Sequence, residues 1–293
     1  MRATFVEIDG VRTRYLHAGA GHPLFLLHGV GLSGDCFVRN IDALGEEFAV
    51  YAPDMLGHGF TDAAEYGGVP PQSRIVRHLG RLADHLGLER YSVLGSSFGA
   101  LIAALMYFDR PDRVSGLILV GSGSVFHPPE EQAETLRAAL ANARTAMAEP
   151  ALDSCRQRLA NICFDPSSVP EEMLLVQLTS YALPDRFPAY QATIAGLIRS
   201  VASETDRVYG RFHQIKVPCL AITGREDIRA SWERTERGCR QIPKAQLIVF
   251  EQCGHLPFLE YPAKFNALVR EFVHHVIRPE IATCPEAVSE TRE

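Results

Sequence analysis

Ser97 stands in Gly95-Ser96-Ser97-Phe98-Gly99, between an apolar run (Tyr91, Val93, Leu94) and a helix-like run (Phe98, Ala100, Leu101, Ala103, Ala104, Leu105). A serine on so sharp a strand-to-helix turn holds its hydroxyl above the sheet, and the crowding there demands glycine two positions to either side. Its hydroxyl is a poor nucleophile at neutral pH and needs a base. Among the 11 histidines, His255 is singled out: it follows the strand-like Leu247 to Phe250 and precedes the last amphipathic run. A third group must fix the imidazole tautomer. Asp227, reached from Val217 to Thr223 through Gly224-Arg225-Glu226, is the first choice, and Glu226 is the second. Ser97, Asp227, His255 is the nucleophile–acid–base order of one hydrolase architecture, and the chemistry it supports is acyl transfer through serine. The oxyanion formed on the way needs two N–H donors. Phe98, next after the nucleophile, offers one, and Val30, between Gly29 and Gly31, offers the other. A histidine base must be neutral to take the serine proton, so kcat/KM should fall on the acid side along a single-proton curve.

The elements that must position these groups are legible as alternating patterns. Residues 4–17 alternate around Asp9-Gly10, a hairpin signal. Leu24 to Leu27, Phe48 to Tyr51 and Leu117 to Val120 are short apolar runs of the kind found in buried parallel strands. They end in His28-Gly29-Val30-Gly31, Pro53-Asp54-Met55-Leu56-Gly57-His58-Gly59 and Gly121-Ser122-Gly123. Helical spacing runs over residues 73–86 and again after Pro262. From 129 to 202 only helical periodicity is found, broken at Pro150, at Asp165-Pro166 and between Pro184 and Pro188. The pattern predicts an α/β chain: a mostly parallel central sheet covered by helices on both faces, with an all-helical lid inserted after the sixth strand. Residues 1–122 and 209–278 would form the core, 123–208 the lid and 279–293 a flexible tail. Ligands of such sheets bind at the carboxyl ends of the strands, where every group named above falls.

Composition narrows the partners. With 46% hydrophobic and 22% charged residues and a net charge of -6, the 293-residue chain reads as globular, without the basic footprint that nucleic acid or an anionic membrane would need. No signal core and no run of 18 apolar residues is present. The 7 cysteines include Cys284 near the end and form no C-x-x-C pair, which suits a reduced, cytoplasmic protein. Cys253 is considered as a nucleophile or ligand and set aside, because no paired spacing supports it. Gly29, Gly31 and Gly34 are wrongly spaced for a dinucleotide loop. No cofactor and no metal is expected, and whether copies form a homo-oligomer is left open.

His28-Gly29-Val30-Gly31, residues 54–59, residues 95–99, Gly224-Arg225-Glu226-Asp227 and Gly254-His255 together resemble the α/β-hydrolase family over residues 5 to 276. The resemblance implies Ser97 as nucleophile, His255 as base, Asp227 as acid, and Val30 and Phe98 as oxyanion donors. Residues 164–172 are similar to the lid of the meta-cleavage-product hydrolases, which cut carbon–carbon bonds in ring-fission products. Those enzymes usually carry asparagine where this chain has Ser96, and tryptophan where it has Leu256. The leading expectation is therefore a serine hydrolase of a small, largely apolar carboxylic ester. Carbon–carbon hydrolysis of a 2-hydroxy-6-oxo-dienoate is the alternative, and a triad-bearing small-molecule receptor the rival from another class. His28, Gly29, Ser96 and Leu256 are the expected substrate neighbours. His28 should also shape the turn before Val30, and His58 should line the mouth.

Overall fold

Strands β1 (Arg2–Ile8) and β2 (Val11–Ala18) meet at Asp9 and Gly10, both at positive φ (49° and 78°), the conformation a tight hairpin turn requires. The computed structural model describes residues 1–63 and 65–274. The expected tail from 279, with Cys284, and the last four positions of the 209–278 segment lie outside the described residues. After the hairpin come β3 (His22–Leu27), β4 (Phe48–Pro53), β5 (Tyr91–Ser96), β6 (Val114–Val120), β7 (Cys219–Gly224) and β8 (Ala245–Phe250). The sheet order is β1-β2-β4-β3-β5-β6-β7-β8, antiparallel at β1/β2 and β2/β4 and parallel elsewhere.

The helices are α1 (Ile41–Gly45), α2 (Pro71–His85), α3 (Phe98–Asp109), α4 (Gly123–Phe126), α5 (Pro129–Ala148), α6 (Leu152–Ala160), α7 (Glu171–Tyr181), α8 (Arg186–Ser200), α9 (Trp232–Cys239), α10 (Pro257–Glu260) and α11 (Pro262–Phe272). None of the described helices is long and apolar enough to cross a membrane. The central strands are buried on both faces, and alternate residues feed two cores. Leu24, Leu26, Leu94 and Ile118 join the core that also holds Phe258 and Phe265. Phe25, Leu27, Val93 and Leu117 join the core beneath α2 and α3. Continuous apolar runs are thus what a two-sided sheet needs.

The strand expected from Val217 starts two residues later, because Pro218 has no N–H to give a ladder. Helices α1, α4, α9 and α10 span 5, 4, 8 and 4 residues, too short to print a periodicity. Helices α5 to α8 fall between β6 and β7 in sequence. The chain leaves β3 toward β4, then returns to place β5 on β3's other side, so the strand order reverses between β3 and β5. The loops after those two strands open the crevice that such a reversal creates.

Candidate active site

Ser97 follows β5 and caps α3 at φ 54° and ψ -115°, a region a side chain occupies only under strain of about 1–3 kcal/mol. The surroundings enforce it. A Cβ on Gly95 would lie 2.1 Å from the Gly99 carbonyl oxygen, and a Cβ on Gly99 would lie 2.1 Å from that of Leu27. Both obstacles are backbone and cannot rotate aside. Gly99→Ala should therefore cost at least about 3 kcal/mol and lower the thermal midpoint by roughly 6–12 °C. A midpoint within about 2 °C of the parent's would show that the elbow can relax.

His255 and Asp227 meet from separate loops. His255 Nδ1 lies 2.8 Å from Asp227 Oδ2 and 3.0 Å from Oδ1. Asp227 Oδ1 also accepts the N–H of Arg229 at 2.7 Å and of Ala230 at 3.1 Å, which fixes the carboxylate before it meets the ring. Glu226 turns elsewhere, accepting the N–H of Cys253 at 2.9 Å. The Cys253 thiol is buried and its pKa raised, by burial first and then by Glu260, so it is held protonated. His255 N–H donates to the Ile162 carbonyl at 2.8 Å, joining the loop after β8 to the inserted helices. Glu260 clamps the same junction, accepting from Gly254 N–H (2.9 Å) and Phe164 N–H (2.8 Å).

Gly29 brings the loop after β3 so close that a Cβ there would sit 3.4 Å from Ser97 Cβ. Gly31 adopts φ 72°, and a Cβ on it would lie 2.6 Å from Arg158 Nη2. Its carbonyl oxygen accepts from Tyr181 Oη at 2.6 Å, Arg158 Nη1 at 2.9 Å and Gln177 Nε2 at 3.4 Å. Arg158 Nη2 also reaches the Val30 carbonyl at 3.2 Å. The Val30 N–H shares its peptide plane with the Gly29 carbonyl, which accepts from Leu32 N–H at 3.1 Å and from His28 Nδ1 at 2.8 Å, and so keeps a fixed direction. Val30 and Phe98 line one cavity together with Ser97, His255, Ser96 and Leu256. Nothing in the periodicity of α6 or α7 announced Arg158, Gln177 or Tyr181, because their common partner is more than a hundred positions away.

Two expectations are corrected. His28 is fully buried and does not line the cavity. Its Nδ1–H donates to the Gly29 carbonyl at 2.8 Å and its Nε2 accepts the Met55 N–H at 3.0 Å, so both ring nitrogens hold loops. His58 does not line the cavity either; it is 3% exposed, with its ring 5.2 Å from the His28 ring. Burial, with the neighbouring ring's charge, pushes His28 down to about 3, and burial pushes His58 down to about 4. His78, bonded to Thr13, is lowered by burial to about 4 as well. An unfolded imidazole titrates near 6.5, so the unfolded chain takes up these protons first as pH falls. The stability they confer is complete above about pH 6.5 and is lost on acidification. Asp54 works the other way, its carboxyl lifted to about 6 by burial despite Arg14 at 3.1 Å. Between about pH 4 and 6 the net difference approaches two protons, or up to about 2.7 kcal/mol per pH unit. Urea unfolding at pH 6 and pH 5 should register that fall. Equal stability at the two values would mean the three rings are not held neutral.

Comparison with known proteins decides the family. Residues 22–262 match the α/β-hydrolase fold family. The chain belongs to that family. This α/β hydrolase is 30% identical over 284 residues to the 2-hydroxymuconate semialdehyde hydrolase of Pseudomonas sp. (strain CF600), covering 90% of this chain and 91% of that one. It is 30% identical over 276 residues to a 2-hydroxy-6-oxononadienedioate/2-hydroxy-6-oxononatrienedioate hydrolase of Paraburkholderia phymatum, again over 90% and 91%. Among solved structures, the meta-cleavage product hydrolase of Pseudomonas fluorescens IP01 superposes with a TM-score of 0.74 at 27% identity, covering 92% and 96% of the two chains. The α/β hydrolase is an enzyme of the hydrolase class, and among its described residues no cluster of His, Cys, Asp or Glu is arranged to hold a metal ion.

Proposed function

We propose that this α/β hydrolase cleaves the carbon–carbon bond beside the 6-oxo group of a 2-hydroxy-6-oxo-dienoate, with Ser97 as nucleophile, His255 as base and Asp227 as its acid. One observation carries the choice over a simple ester. Arg158 lines the cavity at 7% exposure, and among the described residues no carboxylate lies within ion-pair distance of it. Its company is two carbonyls and the faces of Tyr181 and Tyr190, with ring centroids 5.2 and 5.9 Å away. A buried cation without a counter-ion is costly, and a substrate carboxylate would complete it. The names of the relatives point to the same substrate class. The ester reading drawn from Ser96 and Leu256 therefore ranks second.

The chemistry follows from the electron pair. The enol proton must first move from the 2-oxygen to carbon 5, so that the pair released there can run into the 2-oxo group. Ser97 Oγ then adds to carbon 6, His255 takes its proton, and the N–H groups of Val30 and Phe98 receive the oxyanion. Breaking the bond between carbons 5 and 6 leaves an acyl-serine and a dienolate, which takes the proton from His255. Water, activated by the same imidazole, frees the carboxylic acid.

The test compares kcat/KM for such a dienoate with that for an aryl acetate. The dienoate should be preferred, and an enzyme that prefers the acetate would sink the proposal. Arg158→Met should lower the dienoate-to-acetate ratio ten- to a hundred-fold, since a hydrogen bond to a charged group is worth about 1.5–3 kcal/mol. Equal losses on both substrates would reduce Arg158 to a prop for Gly31.

A further inference from the structure

The cavity has two chemically unlike ends, and α8 measures the distance between them. Tyr190, near its start, faces Arg158. Ser200, ten positions on and about 15 Å along the helix axis, accepts a hydrogen bond from Gln72 Nε2 at 2.8 Å. Gln72 lies in the first turn of α2, is 2% exposed and lines the cavity. Its amide can point only one way. Nε2 donates to Ser200 Oγ and, at 3.2 Å, to the Asp206 carbonyl. Ser200 Oγ gives its own proton to the carbonyls of Gly196 (3.0 Å) and Leu197 (3.1 Å), so toward Gln72 it can only accept. That leaves Gln72 Oε1 facing away from both, buried and without a hydrogen-bond partner among the described residues. A buried acceptor left unmet is expensive, and its presence in a cavity wall asks for a donor.

Asp206 sets the sign of this end. It lines the same cavity at 9% exposure. Its carboxylate accepts from Ser203 Oγ at 2.6 Å, from Thr205 Oγ1 at 3.3 Å and from Ser73 Oγ. No Arg or Lys among the described residues pairs with it. Leu101, Leu197 and Val201 supply apolar wall beside the two acceptors.

We propose that this end is the subsite for the group carried on the 6-oxo carbon, and that it selects an uncharged substituent bearing a hydroxyl. The hydroxyl donates to Gln72 Oε1, its chain lies along Leu101, Leu197 and Val201, and the Asp206 charge turns a carboxylate away. Gln72 is then a specificity-determining residue that does no chemistry. The inference rests on the carbon–carbon reading, with the substrate's own carboxylate at Arg158. It separates this chain from relatives named for dioate substrates, whose second carboxylate would have to sit beside Asp206.

The experiment uses Ser97→Ala protein, so that binding is read without turnover, and three dienoates bearing butyl, 4-hydroxybutyl or 3-carboxypropyl on carbon 6. Titration calorimetry should find the hydroxybutyl compound bound roughly ten-fold more tightly than the butyl compound. The carboxypropyl compound should bind at least ten-fold more weakly than butyl. In the presence of Ser97, the same ranking should appear in KM rather than kcat. Gln72→Met should bring the hydroxybutyl compound down to the butyl value. Should that variant fail to fold, the three-ligand series still decides. Butyl equal to hydroxybutyl, or carboxypropyl as tight as either, overturns the subsite while leaving the carbon–carbon reading in place. Failure of all three to bind overturns both.

Discussion

Ser97→Ala should lose on the order of a million-fold in kcat and stay folded. Removing the nucleophile of a serine triad costs about as much as removing the whole triad, or roughly 8 kcal/mol of transition-state stabilisation. The structural reason for expecting an intact fold is that the elbow is built from backbone. Ser97 N–H donates to the Val120 carbonyl at 2.8 Å and the Ser97 carbonyl accepts from Ser124 Oγ at 2.6 Å, and both bonds survive in alanine. Alanine also inherits the strain at φ 54°, whereas glycine would not. Ser97→Gly should therefore be as inactive as Ser97→Ala yet more stable by about 1 kcal/mol. Stopped assays, a fluorophosphonate label and thermal unfolding on the three proteins check this together. An alanine variant that retains more than about a hundredth of the activity would remove Ser97 from the chemistry.

Why the proposed triad was legible and its supports were not comes down to range. Ser97, Asp227 and His255 each sit in a glycine-bearing turn at the end of an apolar run, and Gly95, Gly99, Gly224 and Gly254 are glycine because backbone passes within 3 Å of where a Cβ would be. Those are local facts that a sequence prints. Which of Asp227 and Glu226 meets the His255 ring was not local. It is set by the N–H groups of Arg229, Ala230 and Cys253, which aim one carboxylate at His255 and the other away. His28 was placed at the right turn but given the wrong audience, since a strand end does not say which way a ring points. Arg158, Gln177 and Tyr181 converge on Gly31 across 127, 146 and 150 positions, and no spacing rule reaches that far. Nor could Gln72 and Ser200 be seen as partners before α2 and α8 were packed together.

Asp227→Asn should lower kcat/KM on the order of ten-thousand-fold, and the hydrogen bonds show how. In the parent, Oδ1 serves the Arg229 and Ala230 N–H groups while Oδ2 makes the shorter contact with His255 Nδ1 at 2.8 Å. Asparagine has one oxygen for these two duties. Turned so that its oxygen keeps the two backbone donors satisfied, it presents its NH2 to His255. An NH2 can only donate, so Nδ1 must become the acceptor and the ring proton moves to Nε2. That is the nitrogen from which Ser97 must be deprotonated, and it is now blocked. The reverse flip restores the tautomer but sets the NH2 against two buried N–H donors, a loss of about 1–3 kcal/mol for each unmet group. The tautomer error is the cheaper arrangement, so geometry survives and catalysis does not. Glu226→Gln makes the matched control, because among the described residues Glu226 meets only the Cys253 N–H and an amide oxygen can accept that bond equally well. Its kcat/KM should stay within about three-fold of the parent, less than the 1.4 kcal/mol that a ten-fold change represents. A large loss in Glu226→Gln with Asp227→Asn unharmed would move the acid by one residue and undo the assignment of His255's partner.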